Sequence, residues 1–148
     1  MIAIRSLLSA VLLSSISALA QPQTPRTSAP QAPLRTHLQN YKDMVLATCV
    51  ATAYRQNSAA ASDAASTVSA LRDWTEYDLD HAPDAMKQLV DRFLARDYRN
   101  PLAEAESPGQ QFNLLKCLDL YHSSELDAQA KRLVMRPKHS SSKDSQTR

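Results

Sequence analysis

One glycine in 148 residues, two cysteines, two phenylalanines and one tryptophan exclude several kinds of protein at once. A single Gly, at position 109, cannot build the glycine-rich loops that cradle phosphates, which need several residues without a Cβ. It also leaves few sites for tight turns, while abundant Ala, Leu, Gln and Lys/Arg favour helices over strands. Cys49 and Cys117 form no C-x-x-C pair, and no H-E-x-x-H segment occurs, so the common zinc and redox motifs are absent. The one clear apolar run, Leu7 to Leu13, is interrupted by Ser and too short for a stable membrane span.

What is present begins with that run. Met1 to Arg5 carries a positive charge, the apolar core follows, and Ala18-Leu19-Ala20 supplies a small-x-small cleavage pattern. This is the three-part layout of a secretory signal peptide, expected over residues 1–20 with cleavage after Ala20. No Cys follows the cleavage site, so neither a lipid anchor nor a membrane anchor is expected on the mature chain. Residues 21–36 hold four prolines without apolar periodicity and predict a disordered leader. Residues 37–135 predict a helical domain, and the polar, basic stretch 136–148 a disordered tail.

Charge follows the same division. Residues 36–135 hold ten Lys/Arg against fourteen Asp/Glu, and the basic excess lies in the flanks. Basic residues are not gathered on a folded face, which excludes nucleic acid as the expected partner. In an exported chain the two cysteines predict a Cys49–Cys117 disulfide. The competing reading is a catalytic thiol served by His81 or His122.

Within the domain, apolar spacings of three and four predict about five helices. The first runs from about Thr36 to Gln56, through Leu38, Tyr41, Val45 and Cys49. Ser58 is the expected cap of an Ala- and Ser-rich second helix over 59–73, with a thin stripe of Ala61, Ala64, Val68 and Leu71. Pro83 announces the third, whose Met86, Leu89, Val90, Phe93 and Leu94 make the cleanest apolar face. The fourth, Phe112 to Tyr121, is expected to pack through Leu114, Cys117, Leu118 and Tyr121. Ser124 with Asp127 resembles a capping box for the last helix. The fold class is an all-α bundle with its first and fourth helices joined by the disulfide.

Chemistry-bearing clusters are few. His37, His81, His122 and His139 are scattered and predict surface or helix-end residues. Asp73, Glu76, Asp78, Asp80 and Asp84 surround Trp74 and Tyr77 without the spacing of a calcium loop. They predict a solvated acidic turn, or an acidic docking face (Trp74, Glu76, Tyr77, Asp78) for a basic partner. Nothing in the pattern predicts a cofactor, a metal or a catalytic residue. The longest non-repetitive stretch between strong helices is Arg99 to Gln110, with Pro101, Pro108 and Gly109; long ordered loops are often functional.

The segment Leu115-Lys116-Cys117-Leu118-Asp119-Leu120-Tyr121-His122-Ser123-Ser124-Glu125-Leu126-Asp127 resembles the signature of immunity proteins against type VI secretion amidase effectors. The matching family is the Tai group, which neutralises the type-4 amidases. Tyr41 to Cys49 resembles that family's first helix and Ala60 to Ala65 its Ala-rich second, so the likeness spans about Tyr41 to Val134. It implies a periplasmic all-α homodimer without catalysis of its own, which holds a peptidoglycan amidase inactive by covering its substrate groove. Such amidases use a Cys–His pair to cut the D-Glu to diaminopimelate bond. The element facing the effector is expected in the loop 98–110, through Tyr98, Arg99, Asn100, Leu102, Glu104 and Glu106. Self-association is expected through the second and third helices. A small disulfide-bonded acid-stress chaperone of the periplasm is the alternative, and a Cys117–His122 amidohydrolase a more distant one.

Overall fold

α1 (His37–Ala53) is the helix around which the others are arranged. In the computed structural model, which describes residues 28–98, 101–106 and 108–146, it is followed by α2 (Ser58–Arg72), α3 (Ala82–Leu94), α4 (Pro101–Glu106), α5 (Asn113–Tyr121), α6 (Ser124–Leu133) and α7 (Ser141–Gln146). The expected export signal lies outside the described residues, as do the start of the leader, Arg99 and Asn100. No described helix is long and apolar enough to cross a membrane.

The all-α expectation holds. Thr36 starts α1 with a full capping box: its hydroxyl accepts from the Gln39 amide, and the Gln39 side chain accepts from the Thr36 amide. α1 then buries Tyr41, Met44, Val45 and Cys49 completely because it meets α2, α3, α5 and α6 on different sides. α2 buries only Ala64 and Leu71, and its small side chains let it lie close along α1. Its cap is Asn57, whose side chain accepts from Ala60 N at 3.2 Å; Ser58 is already inside the helix. α3 buries Met86, Leu89, Val90 and Phe93, four residues of the face that its spacing marks. For α6 the cap is Ser123, accepting from Leu126 N at 3.1 Å, one residue earlier than the expected box. Glu125 and Asp127 in its first turn and Lys131 and Arg132 in its last complement the helix dipole.

Cys49 and Cys117 are joined, with Cα atoms 5.7 Å apart and 68 positions between them. The bridge ties α1 to α5, the helix counted fourth from periodicity, because the short α4 intervenes. Both cysteines are fully buried. Closing a loop of that length removes roughly 4 kcal/mol of unfolded-chain entropy. The disulfide also leaves no thiol for a Cys117–His122 amidohydrolase.

Both ends of the domain reach further than the sequence pattern suggests. A 3-10 turn at Ala32–Leu34 buries Ala32, and Asn40 donates to the Ala32 carbonyl at 2.9 Å. The stretch 136–146, expected as part of a disordered tail, is instead packed: the His139 carbonyl accepts from His37 N, Ser140 is buried, and α7 lies against the 3-10 turn. Its partners are spread along the chain, so no local periodicity announces them.

Candidate binding surface

Past Leu94 the chain must cross from α3 to α5, and the outgoing end of that crossing is tied to α5 twice. Tyr98 donates its hydroxyl to Asp119 Oδ2 at 2.6 Å. That hydrogen bond to a carboxylate holds the Tyr98 phenol above its ordinary pKa. Lys116 is buried, and its Nζ donates to the Leu94 carbonyl at 3.0 Å. Leu94 ends α3, so the ammonium meets an orphan carbonyl at the negative end of the helix dipole. The same Nζ lies 5.8 Å from the centre of the Tyr98 ring. On the return side, Gly109 (φ +74°) and Phe112 (φ 50°) both adopt the left-handed conformation. The first suits glycine, and the second stores roughly 1–3 kcal/mol that the surrounding structure must offset.

Between these ends lies α4, where periodicity predicts only a loop. Leu102 on it is 83 % exposed, and Glu106 is exposed as well. A cleft of about 430 Å³ between the two ends of this crossing is lined by Leu94, Arg96, Tyr98, Gly109, Gln111 and Lys116 among others. Of the expected contact residues, the structure places Tyr98, Leu102 and Glu106 along one presented segment. Arg99, Asn100 and the side chain of Glu104 fall outside the described residues.

The second expected face does not come together as one surface. Tyr77 is buried and tilts against Tyr41, their ring centres 5.8 Å apart. Asp78 accepts from the amides of Asp80 and His81, both at 3.0 Å. Its carboxyl is held below the usual range, first by the His81 amide and then by the His81 ring. Trp74 is half-buried, and its carbonyl accepts from Asn40 Nδ2 at 3.1 Å. Glu76 binds Arg136 of the tail. His37, expected at the surface or at a helix end, is the first residue of α1 and is buried. His37, Glu76 and Asp144 come within 4.8 Å of one another, and the cation among them is Arg136, whose guanidinium bonds both carboxylates.

A surface missed from sequence lies on α5. Leu114, Leu115 and Leu118 are 50, 47 and 40 % exposed, whereas Lys116, Cys117 and Leu120 face the core. The expected packing through Leu114 and Leu118 is therefore corrected. Leucines at 114, 115, 118 and 120 give this helix more than one apolar face, and the disulfide at Cys117 together with the bonds of Lys116, Asp119 and Tyr121 sets its rotation.

The most specific stretch of the sequence is structural. Cys117 carries the disulfide, Asp119 holds Tyr98, and Leu120 is core. Tyr121 donates to Asp43 Oδ1 at 3.1 Å under the Lys42 ammonium, which also pairs with Asp127 at 2.7 Å. Ser123 caps α6.

The described residues form a disulfide-joined set of helices with a short helix exposed between α3 and α5. The comparisons make the class specific: residues 39–130 match the model of Tai4, the type VI secretion system (T6SS) amidase immunity proteins. The chain belongs to that family. It is also similar to a solved structure described under "New Type VI-secreted toxins and self-resistance proteins in Serratia marcescens", at 26% identity and a TM-score of 0.70. That similarity covers 84% of this chain and 98% of the other. Among curated proteins none matches.

Proposed function

We propose that this protein binds and inhibits a type VI-secreted peptidoglycan amidase, and that it does so in the periplasm after removal of residues 1–20. Family membership supports the partner class. The observation that carries the mode of action is the presented α4 segment, with Leu102 83 % exposed and its outgoing end tied to α5 by Tyr98–Asp119 and Lys116–Leu94. A segment held before docking loses less conformational entropy on binding, and an exposed Leu is an apolar anchor that polar neighbours keep soluble. The inhibitor supplies no catalytic group; it covers the groove. Arg99, Asn100, Glu104 and Glu106 are the polar contacts of this reading, the acids accepting hydrogen bonds from a His-containing cleft.

The test is to replace residues 100–108 by a Gly/Ser linker. Helical circular dichroism should be retained while inhibition of the cognate amidase is lost. Full protection by that variant would move the inhibitory element elsewhere, with Trp74 and its acidic neighbours next in line. A homodimer belongs to the same proposal. The exposed Ala and Ser residues of α2 support close approach of a second helix there, and the exposed leucines of α5 are the competing surface. Ala65→Arg should produce a monomer in sedimentation if α2 is the contact, and Leu118→Glu should do so if α5 is.

A further inference from the structure

Three stretches of chain meet at one group of imidazoles and carboxylates. The segment after α6 pairs with residues 76–78, Asp78 N donating to Leu133 O and Met135 N to Glu76 O, both at 2.9 Å. It then turns at Arg136 (φ 45°) and crosses the start of α1, where His37 N donates to His139 O at 2.8 Å. α7 follows and returns Asp144 to the same place. His37 Nε2 lies 3.0 Å from Asp144 Oδ2, and His139 Nδ1 lies 3.2 Å from Asp144 Oδ1. One ligand atom each from His37, Glu76 and Asp144 lies within 4.8 Å of the other two. The three line a cavity of about 180 Å³, with Asp73, Ser141 and Ser145 among its other walls.

We propose that this group is a binding site for a divalent ion of the zinc class, in which His37, Glu76 and Asp144 are ligands, His139 is the fourth, and the ion takes the place of the Arg136 guanidinium. The donor set decides the class of ion. Imidazole nitrogens with carboxylates suit zinc, copper and nickel, whereas calcium and magnesium are bound by oxygens alone. Zinc ligands at about 2.1 Å in a tetrahedron stand about 3.4 Å apart, and the His37–Asp144 pair is already at 3.0 Å. Glu76 and the exposed ring of His139 complete the shell by turning inward.

His37 is held as a ligand would be. It is 1 % exposed, and its Nδ1 lies 3.3 Å from the Glu76 amide and 3.2 Å from the Trp74 carbonyl. A ring bound through Nε2 keeps its proton on Nδ1 and donates it to a backbone carbonyl, the usual outer contact of a histidine ligand. Trp74 O is in position for that bond. Without the ion the ring takes the other tautomer: Nδ1 accepts from the Glu76 amide, and Nε2–H donates to Asp144. Binding therefore moves one proton from Nε2 to Nδ1 without a shift of the ring.

The cluster is not short of positive charge. Asp73, Glu76 and Asp144 are matched in number by Arg136, Lys138 and Lys143, and Arg136 bonds both Glu76 and Asp144. Binding is an exchange, in which a side chain already 44 % exposed moves into water and the ion brings two charges in place of one. His37, Arg136, His139 and Asp144 lie outside residues 39–130, which match the family model, so the site does not rest on the proposed inhibition.

Zinc sulfate titrated into the untagged protein, freed of metal and then of chelator, tests this by calorimetry. One ion per chain should bind in the micromolar range. At about a hundredfold excess over Kd it should raise Tm by about 5–10 °C, while calcium and magnesium do neither. The 15N shifts of the His37 ring should pass from the Nε2–H to the Nδ1–H tautomer. Asp144→Asn should abolish binding, and His139→Gln should weaken it by at least about tenfold. Arg136→Met removes the competing cation and should tighten binding by about fivefold. None of these replaces the buried His37, and helical circular dichroism should be retained in each. No zinc bound at millimolar concentration overturns the site, as does binding that survives in Asp144→Asn. A His37 ring that keeps Nε2–H in saturating zinc overturns it too, and unchanged or weaker affinity in Arg136→Met overturns the exchange.

Discussion

Residues 134–146 and residues 98–112 both leave the regular helical pattern, and the structure uses them in opposite ways. The first stretch is stitched inward along its length: backbone pairing to 76–78, carbonyls capping α1, and Asp144 clamped by three basic side chains. The second is tied to α5 at its outgoing end, by Tyr98 to Asp119 and by Lys116 to the end of α3, while α4 beyond it shows Leu102 to solvent. One irregular stretch finishes the fold; the other is presented by it. Sequence composition alone does not separate them, since both are polar and proline-containing. What separates them is whether partners wait on the domain surface.

The sharpest way to break the comparison is to loosen the body that presents α4. Replacing Cys49 or Cys117 by Ala should lower stability by roughly 2–5 kcal/mol in urea unfolding, and inhibition should then fall only because less protein is folded. Lys116→Met removes a buried charged donor from the Leu94 carbonyl, an expected loss of about 1–3 kcal/mol. This change should affect inhibition more than its stability loss explains, because it loosens the outgoing end of the presented segment. Ser123→Ala removes the cap of α6, far from α4, and should cost about 1 kcal/mol with inhibition untouched.

Acid should act through carboxylates, with a definite sign. Asp127 is held low by the Lys42 hydrogen bond and Asp78 by the His81 amide. A depressed folded-state pKa adds stability above the unfolded carboxylate value, and that stability is lost as pH falls through the folded value. Thermal unfolding should therefore show falling stability below about pH 4, and Asp127→Asn should reduce that slope. The smallest stability effect belongs to Tyr98→Phe, at or below about 1 kcal/mol since the hydroxyl is near the surface. Its amidase inhibition should nevertheless weaken by roughly tenfold, as an untethered segment must be ordered on binding. Unchanged inhibition there would mean that the Tyr98 tether does not position α4.

Legibility followed the range of each interaction. α3 was readable because its apolar residues recur at three and four and one face alone is buried. α1 was readable as a helix, but not as the central one, since its burial on several sides depends on which helices arrive. α5 defeated the pattern for a physical reason: its leucines offer more than one apolar face, and the Cys49–Cys117 bond with the bonds of Lys116 and Asp119 selects one. α4 was hidden by Pro101 at its start and by its six-residue length, too short for a periodic signal. Among the candidate contacts, Leu102 was legible as an apolar residue among polar ones. The tie between Tyr98 and Asp119, twenty-one positions apart, left no local trace.

What the sequence by itself determined is therefore the local and the covalent. That includes the all-α class, the long helices and, given an oxidising destination, the pairing of its two cysteines. Tertiary structure alone decided the rest: the rotation of α5, the burial of His37, the docking of the last residues onto α1, and the division of Trp74, Glu76, Tyr77 and Asp78 among separate partners. Helical periodicity reports which side chains share a face within a turn or two. A polar residue shows nothing of a partner such as the one linking His37 to Asp144, 107 positions away, until the chain has folded and brought the two together.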